Sequence, residues 1–242
     1  MCFSPQASFI AGAALLPAGI DCTQAAIRKD PRYVPLALVP IAFGIQQICE
    51  GFVWLGLNND NAALVQQSSV IFLFFAIPFW PCWIPLSLAI AESRARQQTV
   101  LTMLTVVGLA WLWLYLPLAA DPAKWLTTEI VQHSIRYDVG ELPAFAMAPR
   151  FVWRAAYLAI ICVPLVIGRL DPGANRGSNP ITGLLVAGLF GVAYFLYWHA
   201  FLSVWCFFAA ILSLLLCRAF YRLPVRNAGP SNSAPFPVAK AN

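Results

Sequence analysis

The chain has 242 residues, of which 60% are hydrophobic, 14% aromatic and only 10% charged, with a formal net charge of +5. A soluble domain carries roughly 45–50% apolar and about 25% charged residues, and charges this sparse leave large apolar patches on any water-facing surface. The composition excludes a soluble enzyme, a disordered chain and a nucleic-acid-binding domain, and leaves an integral membrane protein whose first partner is the lipid bilayer.

A bilayer core of about 30 Å takes about 20 apolar helical residues per crossing, so the length suits one bundle of six to eight spans. Runs such as Ile71–Ile77 and Phe207–Leu216 are almost continuously apolar. A β-barrel would instead alternate polarity over segments of about ten residues. The expected fold is all-α, a polytopic transmembrane bundle of about seven spans, forming a single domain over residues 1–223.

In chain order the spans are predicted at Pro5–Ile27, Tyr33–Leu57, Ala63–Ala91, Thr99–Ala120, Phe151–Leu170, Ile181–Trp198 and Phe201–Phe220. No basic segment precedes the first, so the start does not read as a secretory signal peptide. The last two form a tight hairpin; six spans with a broken, re-entrant hairpin is the alternative. Gly183, Ala187 and Gly191 recur every four residues and predict close helix packing there. The long connection, residues 121–149, contains WLTTEIVQHSI, whose Trp125, Leu126, Ile130 and Val131 predict a short amphipathic helix at the interface, either packed on the bundle or lying as a lid over a cavity. The tail 224–242, rich in Pro, Ser, Ala and Asn, is expected to be disordered.

Lys and Arg in the connections set orientation. Arg28, Lys29, Arg32, Arg94, Arg96, Arg169, Arg176, Arg218, Arg222, Arg226 and Lys240 fall on one side; Lys124, Arg136, Arg150 and Arg154 fall on the other. That division, 11 of the 15 against 4, predicts an external N-terminus and a cytoplasmic C-terminus. Of the seven cysteines (Cys2, Cys22, Cys49, Cys82, Cys162, Cys206 and Cys217), five lie in apolar runs and none forms a C-x-x-C pair. They read as small hydrophobes rather than a disulfide framework.

Ionisable groups within spans are costly and mark functional candidates. Asp21 and Glu50 are the two, at different depths. Gln46 and Glu50 share a helical face, with Gln47 beside them and Trp54 one turn further. Gln66, Gln67, Ser68 and Ser69 open the third span, Arg150 and Arg154 flank Trp153 at the start of the fifth, and Tyr197, Trp198, His199, Ser203 and Trp205 cluster near the last turn. Converging polar groups walled by aromatic rings suit a small-molecule site. The expected ligand set is Glu50 as charge centre, Gln46, Gln47 and Gln66 as orienting groups, Arg154 as counter-charge, and Trp54, Trp205 and His199 around them. Its ligand would be a small molecule, a lipid head group or a proton. The structural alternative is that the buried carboxylate only ties helices together.

A membrane-embedded metal enzyme using His133, His199 and Glu50 is a further reading, unsupported by any metal-ligand spacing; no cofactor is otherwise called for. Pro78, Trp80, Pro81, Trp83 and Pro85 predict a kink, a hinge or a widened region in the third span. Retinal chemistry is excluded, because Lys29, Lys124 and Lys240 all fall in connections or the tail.

The segments MCFSPQASFIAGA, FGIQQICEGFVWLGL, FWPCWIPLSL and SVWCFFAAILSLLL together resemble a family of small bacterial membrane proteins of unknown function. The resemblance covers nearly the whole chain. It implies an inner-membrane protein with about seven helices and places Cys2, Glu50, Pro81, Trp83 and Trp205 in motif segments. It implies no activity.

Overall fold

The computed structural model describes residues 4–140, 142–168, 180–196 and 201–222. Cys2, His199 and the predicted tail lie outside them. Helix α1 (Pro5–Lys29) starts where Ser4 Oγ accepts the Ala7 amide at 3.2 Å and Pro5 presets the first turn. Asp30 then caps the next start, accepting from the Arg32 amide, and α2 spans Pro31–Asn58. Asn61 accepts the Leu64 amide to open α3 (Ala62–Ala91). Inside α3, residues Phe75–Phe79 form a π-helical turn around Pro78, which fits proline's missing donor. α4 covers Ala95–Ala120, α5 Arg150–Ile167, α6 Pro180–Leu196 and α7 Phe201–Arg222.

Helices α1 to α5 are each long and apolar enough to cross a membrane, while α6 and α7 hold shorter apolar segments, Leu184–Phe195 and Ser203–Leu214. Large apolar side chains such as Ile10, Met103, Val106, Trp113 and Phe195 face outward, as expected of a bundle whose solvent is lipid. Asp21 also sits on the exposed flank of α1 rather than inside the bundle.

The segment 121–149 departs from expectation. After a short turn at Pro122–Trp125 it forms a β-hairpin, β1 (Thr127–Val131) and β2 (Ser134–Asp138), not an amphipathic helix. Val131 pairs with Ser134, so the loop is the two residues Gln132 and His133, with φ of 48° and 62°. Both are left-handed, which suits the twist of a two-residue hairpin turn. The β-branched Thr127, Thr128, Ile130 and Val131 prefer a pleated surface. Beneath the hairpin Ile135 is buried, Tyr137 stacks on Phe72 at 4.7 Å, and Thr128 donates to Ser69.

Helix α1 packs along α2, α2 along the first half of α3, and α4 along the second half of α3; α5 packs on α6 and on α3, and α7 touches α1, α2 and α6. Close approach occurs at α1–α2, where a Cβ on Gly12 or Gly19 would lie 2.6 Å from Ile48 or 2.5 Å from Ile41. It occurs again at α3–α4, where a Cβ on Gly108 would lie 2.1 Å from the Pro81 carbonyl oxygen. The stripe expected at Gly183, Ala187 and Gly191 is not such a seam at Gly191, where a Cβ meets nothing within 4 Å.

The end of the bundle opposite the hairpin is clamped by two similar devices. Asp30 pairs with Arg32 and Glu92 with Arg94, each at 2.7 Å. Arg94 also donates to the Ile167 carbonyl at the end of α5, and Lys29 to the Tyr221 carbonyl near the end of α7. The starts of α2 and α4 therefore meet the ends of α1, α3, α5 and α7, the antiparallel arrangement that alternating connections predict.

Candidate functional site

The predicted site residues divide among three places. Around Glu50 the structure forms a closed polar knot. Gln46, Gln47 and Glu50 have no exposed surface. Glu50 Oε1 accepts from Ser203 Oγ at 2.5 Å and Oε2 from Gln47 Nε2 at 3.3 Å. Gln46 is double-ended, accepting from the Trp80 indole at 2.9 Å and donating to Cys206 Sγ at 2.9 Å. These bonds join α2 to α3 and α7. The π-helical turn ends just before Trp80, which is buried and stacks on Phe43 at 3.8 Å. Trp54 is also buried, and its indole nitrogen has no hydrogen-bond partner among the described residues.

Gln66 is apart from this knot. It lines a shallow depression with Asp60, Asn61, Leu126 and Thr128, between the start of α3 and the hairpin.

The third place is a hollow of about 250 Å³ beneath the hairpin. Arg136 and Asp138 of β2 and Arg150 and Arg154 of α5 form its polar part. Leu142, Phe145, Trp153 and Phe201 wall it, and Ala76, Ile77, Trp111, Leu114, Tyr157 and Phe190 line the remainder. Ala76 and Ile77 belong to the π-helical turn, so the proline-rich segment does border a widened region. Glu50 does not line this hollow. The cavity expected around Glu50 is displaced onto Arg154, because the carboxylate's cost is already met by α7 and leaves no opening there.

The hollow is strongly biased toward donors. Three guanidiniums face one carboxylate, Asp138, whose Oδ1 accepts the Gly140 amide. Arg136 pairs across the hairpin with Glu129. Arg150 donates to the Gly140 carbonyl at 2.7 Å and lies over the Phe145 ring. Arg154 lies over Tyr194 and Phe201, 5.3 and 5.7 Å from their centroids, with no carboxylate partner among the described residues. Two lining residues bury a donor without a hydrogen-bond partner among the described residues: Arg136 Nε and Trp153 Nε1. Buried polar groups are normally satisfied, and each orphan here is able to donate. The start of α5 adds the positive end of an 18-residue helix. Such a set can hold and orient an anion.

Trp205 packs edge-on against Phe190 at 5.0 Å and stands between the hollow's wall and the neighbouring Cys206–Gln46 contact. The hollow and the Glu50 knot are thus adjacent layers. Sequence reading found Arg150, Arg154 and Trp153 together but not Arg136, which reaches them only through the hairpin. His133 is exposed at the hairpin turn, whereas Glu50 is sealed. Among the described residues no three His, Cys, Asp or Glu side chains converge as metal ligands.

A model of a family of unknown function, DUF6629, matches residues 1–230, and the chain belongs to that family. No curated protein and no solved structure matches it.

Proposed function

We propose, for a chain whose family carries no assigned activity, that it is a membrane protein that binds or passes a small anionic molecule or head group in the hollow beneath the hairpin. The observation that carries this reading is the gathering of Arg136, Arg150 and Arg154 in one hollow. There Glu129 already pairs with Arg136, but Arg154 has no carboxylate partner among the described residues, and the Arg136 Nε and Trp153 Nε1 donors are unpartnered among them. A charge-assisted hydrogen bond is roughly twice as strong as a neutral one, and Phe145, Trp153 and Phe201 wall the hollow beside the arginines. Arg154 is the chief anion-binding group, Arg136 and Arg150 flank it, and Trp153 orients the ligand. The Glu50 knot serves as interhelical glue, a role supported by the bond of Ser203 to Glu50 and by those of Gln46 with Trp80 and Cys206.

The distribution of Lys and Arg supports an external face for the hollow, in a seven-span protein of a bacterial cytoplasmic membrane. A metal-enzyme reading through His133, His199 and Glu50 gains no support from the described residues.

The test is a thermal-shift titration of the purified protein with inorganic phosphate, sulfate and butyrate against a neutral solute. At least one anion raises the unfolding temperature of the native protein and fails to raise that of Arg154→Gln. An unchanged shift in the variant, or no anion shift at all, refutes the reading.

A further inference from the structure

The hollow changes character with depth. Arg150 is the first residue of α5, and Arg154 lies about 6 Å below it at about 1.5 Å per residue. Ala76, by the same measure, lies about 20 Å along α3 from its hairpin end at Ala62. Leu114 lies about 9 Å along α4 from Ala120, and Phe190 about 9 Å along α6 from Leu196. The arginines therefore stand at the mouth, and the apolar lining of Ala76, Ile77, Leu114 and Phe190 lies toward the middle of the bundle.

An inorganic anion needs only the mouth. The deeper lining is apolar apart from the Tyr157 hydroxyl, and the whole hollow, at about 250 Å³, is below the roughly 300–1,000 Å³ that holds a whole drug-sized molecule. The hollow has room for a charged head and the first part of an apolar body.

We infer that the ligand is an anionic amphiphile, with a phosphate or carboxylate head held by Arg136, Arg150 and Arg154 and its apolar chain seated on Ala76, Ile77 and Leu114. This deepens the anion-binding reading and rests on it. The same chemistry belongs to an anionic membrane lipid and to a soluble amphiphile such as an alkyl phosphate. Each buried methylene multiplies affinity about fourfold, so two seated methylenes give more than about tenfold over the bare head.

The experiment uses the full chain in phosphatidylcholine nanodiscs, with Trp111 and Trp153 in the lining as fluorescent reporters. The probes are inorganic phosphate, octyl phosphate and octanol. Octyl phosphate is expected to bind more than about tenfold tighter than either of the others. Arg154→Gln weakens both phosphate and octyl phosphate. Ile77→Ala, which only trims the floor, weakens octyl phosphate about threefold to tenfold and leaves phosphate unchanged. Ala76→Phe, which fills the floor, has the same selectivity with a larger effect.

If octyl phosphate binds no tighter than phosphate, or if both floor variants leave it unchanged, the amphiphile inference falls while anion binding stands. If Arg154→Gln alters neither probe, the anion reading itself falls, and this inference with it. Repeating the titration with phosphatidylglycerol mixed into the nanodisc separates the sources. Competition identifies a membrane lipid as the occupant and its lack a soluble amphiphile, and either result upholds the proposal.

Discussion

Replacing Gly108 by alanine tests the packing that shapes the hollow. The added methyl would sit 2.1 Å from the Pro81 carbonyl oxygen, and ordinary contact begins at 3.4 Å, so α4 and α3 must part by about 1.3 Å. The obstacle is backbone, not the end of a flexible side chain, and it lies at the proline-rich bend where α3 has little freedom to yield. Overpacking of this kind costs about 1–3 kcal/mol. An internal control exists at Gly188, where a methyl meets nothing within 4 Å and alanine should gain about 0.5–1 kcal/mol of helix stability. The two variants should therefore differ by about 1.5–4 kcal/mol, read as denaturant midpoints of the purified protein in one detergent. Trp111 and Leu114, a turn or two beyond Gly108 on α4, line the hollow, so Gly108→Ala should also weaken anion binding. Equal midpoints for Gly108→Ala and Gly188→Ala would refute the close approach.

At the Glu50 knot, Glu50→Leu leaves the Ser203 hydroxyl and the Gln47 amide without their acceptor and should cost about 1–3 kcal/mol, whereas Glu50→Gln retains an acceptor and costs less; denaturant titration of both checks the order. Burial pushes the Glu92 carboxyl up, but the Arg94 side chain and the Arg94 and Ser93 amides outweigh it and hold the group below its usual range. Its folded value is the lower one, so its contribution is fully present above the ordinary glutamate value of about 4.3 and is lost as pH falls through the lowered value. Arg94→Gln should flatten that acid limb of an unfolding curve. His133→Gly relieves a left-handed non-glycine residue at φ 62° and should stabilise the hairpin by about 1 kcal/mol. It should leave any bound metal content unchanged; a loss of metal on this substitution would revive the metal reading.

The helices were legible because uninterrupted apolar runs admit one solution in hydrocarbon, where every backbone group must be satisfied within the segment. Ser4 and Asn61 cap starts within one residue of the predicted Pro5 and Ala63, whereas Asp30 caps a start at Pro31, two residues before the predicted Tyr33. The hairpin was not legible in the same way. WLTTEIVQHSI carries apolar residues at helical spacing, and its β-branched run and the left-handed Gln132–His133 turn outweighed that pattern. Arg154 and Trp153 were found because a four-residue period places Arg150 and Arg154 together on a helix. Arg136 joins them only once the chain has doubled back on itself. Glu50 drew attention through the cost of burying a charge, but that cost is met by Ser203, 153 positions away. A long-range bond of that kind leaves no trace in local spacing.

The glycines at the α1–α2 contact carry a consequence for biosynthesis. Gly12 and Gly19 on one helix and Gly44 and Gly51 on the other are each spaced seven apart and meet side chains of the opposite helix. Everything this joint requires is encoded before residue 58. The first two helices can therefore zip together as soon as they leave the insertion machinery, giving the later segments a finished surface on which to assemble.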